Sequence, residues 1–135
     1  MKKRLLFLIL PIVTLILEFL PYGAVCNFAN PTADSIEYFR ELYSYFDLTP
    51  FGYANFAPLI TGIVTWLAFV LVAIYCLTGN SKWASRAKTT LLICTIISLC
   101  PLLYGIQFFS LVGALISAAL LGECLLLHFY LKKVF

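Results

Sequence analysis

Charge is what this chain has least of. Asp, Glu, Lys and Arg make up 11% of its 135 residues and 63% are hydrophobic, whereas a soluble globular domain carries about 25% charged residues. So little charge cannot clothe a water-facing surface, and the composition excludes a soluble domain in favour of a membrane chain. Also missing are the residue sets that carry chemistry. There is no glycine-rich phosphate loop, no Ser/His/Asp set, no His/Cys/Asp/Glu cluster at metal-ligand spacing and no basic face long enough for nucleic acid. The residues therefore point away from an enzyme, a cofactor, a metal and a nucleic-acid partner. No repeat or low-complexity linker divides the chain, so 1–135 reads as one domain.

The five cysteines, Cys26, Cys76, Cys94, Cys100 and Cys124, are odd in number and include no CxxC pair, so no disulfide framework follows. A membrane thiol oxidoreductase needs a close pair at the outer rim, and only Cys26 stands there. They read as small apolar packing residues.

What the chain has in abundance is apolar runs. The first span follows Met1-Lys2-Lys3-Arg4 and covers about 5–20. Its basic head also resembles a secretory leader, and Cys26 a lipoprotein cysteine, but Val25 and Gly23 fit such a processing site poorly. Glu18, Pro11 and Pro21 interrupt the apolar run. The segment therefore reads as a retained anchor. The second span, 58–78, carries no charge and at about 1.5 Å per residue crosses a hydrocarbon core of about 30 Å. The third, about 89–107, contains Pro101, which predicts a kink or a local opening. The fourth, about 110–131, follows almost directly, with the turn between Tyr104 and Gly113. The predicted fold is an all-α membrane protein of four transmembrane helices, with a short amphipathic helix in the first outer loop, about 21–57.

With four spans, Lys2, Lys3, Arg4, Lys82, Arg86, Lys88, Lys132 and Lys133 fall on one side of the membrane, and Arg40 alone falls on the other. The positive-inside rule puts that side, with both termini, in the cytosol, and Cys26 to Phe56 outside. The short loops and the Met-Lys-Lys-Arg start suggest a bacterial inner membrane.

The outer segment holds four of the six acids (Asp34, Glu37, Glu41, Asp47) and nine aromatic residues. Asp34 and Glu37 have the spacing of a capping box. Beyond them Ile36, Phe39, Tyr43 and Phe46 recur at three, four and three residues, which predicts one apolar helical face, laid either on lipid or on the protein's own helices. That face is the candidate interface.

Two acids stand at membrane depth. An ionised carboxylate there costs at least about 3 kcal/mol, so Glu18 and Glu123 must face the interior, be protonated or find partners. Pro11, Thr14 and Glu18 share a stripe of the first span, which lets Thr14 hydrogen-bond the Glu18 carboxyl or the carbonyl that Pro11 frees. Glu18, Thr14 and Glu123 are thus the candidate ion or proton site. His128 lies about 140° around the helix from Glu123 and cannot join it. In the fourth span Ala114, Ala118 and Gly122 form a small-xxx-small stripe for close helix approach, within the chain or with a second copy.

In layout, a four-span chain with a glutamate in its first span resembles the small multidrug-resistance exporters, and the resemblance implies a proton- and cation-binding role for Glu18. It extends to that residue and the span count only. The outer segment here is longer than the short loop of those exporters, and Glu123 is a second membrane acid.

Two functions follow as expectations. The first is a non-enzymatic accessory or interaction protein in the lipid bilayer, which uses 26–56 to meet a membrane-protein partner or a homo-oligomeric copy. The other is a small proton- or cation-coupled transporter acting through Glu123 and Glu18.

Overall fold

A computed structural model of the chain describes residues 2–30, 37–52 and 55–134. Helices α1 (Lys2–Leu5) and α2 (Ile9–Phe19) form one helical run, broken by a 3-10 turn over Leu6–Leu8. Pro11 has no N–H to return to the Phe7 carbonyl, and the chain tightens just upstream of it. Helices α3 (Leu48–Gly52), α4 (Ala57–Thr78), α5 (Ser81–Leu99) and α6 (Leu111–Val134) follow. Three helical stretches are long and apolar enough to cross a membrane: Ala57–Thr78, Ser81–Tyr104 and Leu111–Val134. Helix α4 packs on α5, α5 on α6, and α2 lies against both α4 and α6.

The α4–α5 connection is shorter than expected. Gly79 takes a left-handed conformation (φ 68°) that returns its N–H to the Tyr75 carbonyl, and the Asn80 side chain accepts the Lys82 N–H, so α5 starts at once. Lys82, Arg86 and Lys88 therefore stand on the first turns of a helix instead of in a loop. At the other end of α5 the α-helix stops before Pro101, and 3-10 turns over Cys100–Tyr104 and Ile106–Phe108 carry the chain into α6. The expected disturbance at Pro101 is there, and the turn lies inside its expected window.

Residues 24–30 and 37–43 correct the expectation of an amphipathic helix. Strands β1 (Ala24–Asn30) and β2 (Glu37–Tyr43) pair antiparallel, Ala24 opposite Tyr43 and Phe28 opposite Phe39. An isolated helix of three turns is marginal, whereas pairing gives residues 37–43 a full ladder and stacks Phe28 on Phe39, ring centroids 5.4 Å apart. Asp34 and Ile36 lie outside the described residues.

The hairpin is tied to the helix ends. The Asn27 amide donates to the Gln107 carbonyl at 3.4 Å and Arg40 Nη2 to the Phe109 carbonyl at 3.1 Å. Ser110 Oγ donates to the Gly23 carbonyl at 2.7 Å, and the Tyr45 N–H to the Glu18 carbonyl at 2.9 Å. At the opposite end the Cys76 thiol meets the Arg4 carbonyl at 2.9 Å, the Cys124 thiol the Lys88 carbonyl at 3.6 Å, and Phe7 packs on Tyr130. The basic residues of α1, α5 and α6 are thereby gathered at one end.

Candidate functional site

The inward faces of the long helices are set by residue size. Thr61, Thr65, Ala68 and Val72 on α4 face Leu91, Cys94, Thr95 and Ser98 on α5 and Ile116, Ser117, Leu120 and Glu123 on α6, all of them buried. Meanwhile Ile63, Leu67, Ile96, Leu115 and Phe129 point outward and are exposed. The exterior is thus as apolar as the interior, which suits lipid and leaves polar side chains nowhere to be satisfied except inside.

Glu18 and Glu123 both turn into that interior, at 0% and 1% exposure. Glu18 Oε1 accepts from Thr65 Oγ1 at 2.7 Å. The same hydroxyl lies 2.8 Å from the Thr61 carbonyl and 3.3 Å from Cys94 Sγ. A hydroxyl has one proton to give, so Thr65 cannot serve the carboxyl and the carbonyl fully at once. One of these two acceptors is therefore left short of a full hydrogen bond.

Four further oxygens, Glu18 Oε2, Thr61 Oγ1 and both carboxyl oxygens of Glu123, are buried without a hydrogen-bond partner among the described residues. The two carboxyls come from α2 and α6, yet lie within coulombic reach of each other, and Cys94 lies within reach of both. Buried oxygens left unpaired each cost about 1–3 kcal/mol, and more when charged. Asn55 Oδ1 is the one further buried side-chain oxygen left unpaired among the described residues, so the unpaired atoms gather mainly on these three side chains.

The hairpin end closes over this centre. Tyr45, 2% exposed, lies within coulombic reach of Glu18 and Cys94. Burial above all, with those neighbours adding, pushes its phenol up from the ordinary tyrosine range. Beside it Phe46 stacks on Phe19 at 4.5 Å and covers Gly62, where a Cβ would stand 2.7 Å from the Phe46 ring.

Of the residues singled out in sequence, Glu18 and Glu123 turn into the same interior without a hydrogen bond between them, and Thr14 does not join them. Thr14 is buried, but its hydroxyl donates to the Leu10 carbonyl of its own helix at 2.9 Å. Its expected place beside Glu18 is taken by Thr65, 47 positions further along the chain. The signal for Thr61 and Thr65 was present as two hydroxyls one turn apart on an otherwise apolar span.

Of the four candidate interface residues, Phe39 and Tyr43 stand four apart on β2 and share a face of that strand instead of a helical face. Phe39 is exposed on β2 over Phe28, Phe46 packs inward, and Ile36 lies outside the described residues. Tyr43 donates to Glu41 Oε2 at 2.6 Å, and that bond pushes its phenol up to about 12. In the small-residue stripe, Ala118 is exposed, Ala114 and Gly122 are half-buried, and a Cβ on Gly122 would meet nothing within 4 Å. The inward face of α6 is instead the one carrying Gly113, Ile116, Leu120, Glu123 and Leu127. His128 is exposed, the cysteines are free, and no metal-ligand group occurs among the described residues.

Set against known protein families, curated proteins and solved structures, the chain matches none.

Proposed function

We propose that this is a small integral membrane protein of four helical spans, a four-helix bundle. In this reading it binds a proton or a monovalent cation between Glu18 and Glu123 and acts as a coupled transporter. The observation that carries the reading is the burial of two carboxyls from different helices in one interior, with Glu18 Oε2, both Glu123 oxygens and Thr61 Oγ1 unpartnered among the described residues. Two carboxylates in reach of one another at such a depth cannot both hold their charge, and a shared proton or a bound cation is what relieves them. The oxygen-only ligand set suits a hard cation. In this reading both termini lie in the cytosol and the hairpin outside, in a bacterial inner membrane, and the basic residues gathered at one end support that orientation. The helical run Lys2–Phe19 is the fourth span, since it extends from that basic end to the hairpin.

The test is labelling of the protein in bilayers with dicyclohexylcarbodiimide, a lipophilic reagent for protonated membrane carboxyls, read by mass spectrometry. Labelling at Glu18 or Glu123 that falls as pH rises and is blocked by sodium, lithium or potassium is the expected result. Labelling that ignores both pH and cations would return the two acids to structure.

A second reading rests on the hairpin. Phe39 and Leu42 are exposed on β2 and Tyr22 just ahead of β1, and Arg40 and Asn27 tie the hairpin to the helix ends. An exposed aromatic such as Phe39 on that hairpin suits an accessory protein that contacts a membrane-protein partner or a second copy of the chain. Capture of a partner that is lost on Phe39→Ser, with no cation effect on labelling, would favour it. Neither reading requires an enzymatic step.

A further inference from the structure

At the basic end, α4 and α5 enclose a groove lined by Leu71, Ser85, Arg86, Thr89 and Thr90. Its position along the helices is telling. Ser85 and Arg86 lie about one turn and a half from the Gly79–Asn80 connection, on the side of the basic end. Leu71 and Thr90 lie about 12–15 Å from it, further along the helices.

Arg86 is exposed, and its guanidinium carbon sits 4.8 Å from the centroid of the Trp83 ring. Stacking on an indole holds the guanidinium plane and leaves its in-plane N–H donors free to fork onto an oxyanion. No carboxylate answers this charge among the described residues. Glu18 and Glu123 are sealed inside, while Glu41 and Asp47 belong to the hairpin end. Thr89 and Thr90 spend their protons on the Ser85 and Arg86 carbonyls, at 3.1 and 2.9 Å. Their oxygens are therefore left as acceptors, and Ser85 and Arg86 supply the donors.

We propose that this groove binds the phosphate of an anionic glycerophospholipid, with the phosphodiester on Arg86 and Ser85 and the start of an acyl chain along Leu71. The occupant follows from charge complementarity and from the surroundings. An unanswered, pre-oriented guanidinium at the basic end, above an apolar floor, complements a molecule that is anionic at one end and hydrocarbon at the other. The inference needs the basic end of α4 and α5 to lie at a membrane surface, and is independent of what Glu18 and Glu123 bind.

The experiment uses the full chain with Trp66→Phe, because the chain has two tryptophans and Trp83 is then the only one. Trp66 is exposed on α4, outside the groove. The protein is reconstituted in phosphatidylcholine bilayers containing equal fractions of phosphatidylglycerol or phosphatidylcholine brominated near the headgroup, and Trp83 quenching is compared. One cation near the surface contributes about 1 kcal/mol towards anionic lipid, so the expected preference for phosphatidylglycerol is about fivefold. Arg86→Gln abolishes it and Arg86→Lys keeps part of it, since lysine retains the charge without the fork. Lys132→Gln, on α6, leaves it unchanged. Equal quenching by the two lipids, or an equal loss of preference in Arg86→Gln and Lys132→Gln, overturns the groove in favour of no site or of diffuse surface charge. Taking the ratio of the two lipids within each variant cancels any change in Trp83 emission itself.

Discussion

The two halves of the interior were built on opposite principles. Towards the basic end the buried residues include Val72, Tyr75, Cys76, Ala84, Ala87 and Leu127, each 2% exposed or less, and their contacts are mainly apolar or aromatic packing, with a hydrogen bond between Tyr75 and Tyr130 and a few thiol contacts to the backbone. Towards the hairpin end they are Thr14, Glu18, Thr61, Thr65, Thr95, Ser98 and Ser117, with Glu123 near the boundary. Most hydroxyls of that half are satisfied locally. Ser98 and Ser117 meet at 2.8 Å across α5 and α6, and Thr95 donates back to the Leu91 carbonyl. Unpaired oxygen concentrates at the carboxyls and at Thr61. The comparison teaches that polarity inside this protein is not a diffuse tolerance. One half nearly excludes it, and the other accepts it but leaves a specific few atoms open.

The strongest way to break the comparison is to move a carboxyl into the other half. Leu127 is fully buried one turn below Glu123, and Leu127→Glu should cost at least about 3 kcal/mol and abolish the folded species in size-exclusion chromatography. A normal yield of folded protein would mean that the apolar half is not sealed.

Next in size is the bond that links α2 to α4. Thr65→Val leaves Glu18 with neither oxygen paired and should cost about 1–3 kcal/mol in thermal unfolding, whereas Thr14→Val removes a bond to its own helix backbone and should cost a few tenths. Equal losses would put Thr14 and Thr65 on the same footing and remove the special status of the Glu18 contact.

A smaller effect is expected from Glu123→Gln. The amide keeps the shape and the hydrogen-bonding capacity, so the midpoint of unfolding should move by less than about 1 kcal/mol. If this variant loses most of its folded protein, the carboxyl is structural.

The smallest effect lies outside the helices, at Tyr43. Its phenol is raised from 10.0 to about 12, first of all because it donates to Glu41. A raised folded value means that the neutral phenol is favoured, so the contact contributes fully below the ordinary tyrosine range and is lost as pH rises through about 12. Glu41→Gln should bring the absorbance titration of Tyr43 back down, and an unmoved titration in that variant would remove Glu41 as the cause.

Legibility in the sequence followed the range of the interactions. The apolar stretches over 58–78 and 110–131 correspond closely to α4 and α6, because hydrophobicity is a property of each segment by itself. Pro101 is legible as a kink or local opening for the same reason, and the structure ends the α-helix before it. The start of α5 was placed too late because charge suggested a loop, while Asn80 in fact caps the helix and buried Ala84 and Ala87 hold its first turns. The hairpin was misread because Phe39, Tyr43 and Phe46 fit a helical spacing and residues 37–43 equally fit a strand. What decides between them is the partner strand Ala24–Asn30, which no window around Phe39 contains.

By itself, then, the sequence determined that the chain has long apolar helices, that its bases flank them, and that Glu18 and Glu123 stand within apolar runs, since each of these depends on local composition alone. Only the tertiary structure decided that the two acids turn into one interior, that Thr65 instead of Thr14 serves Glu18, and that residues 24–30 and 37–43 form a hairpin at one end. Those outcomes depend on which helix faces turn towards one another, and that choice is made by packing Ala, Gly and Thr surfaces together across distances in sequence that no local pattern spans.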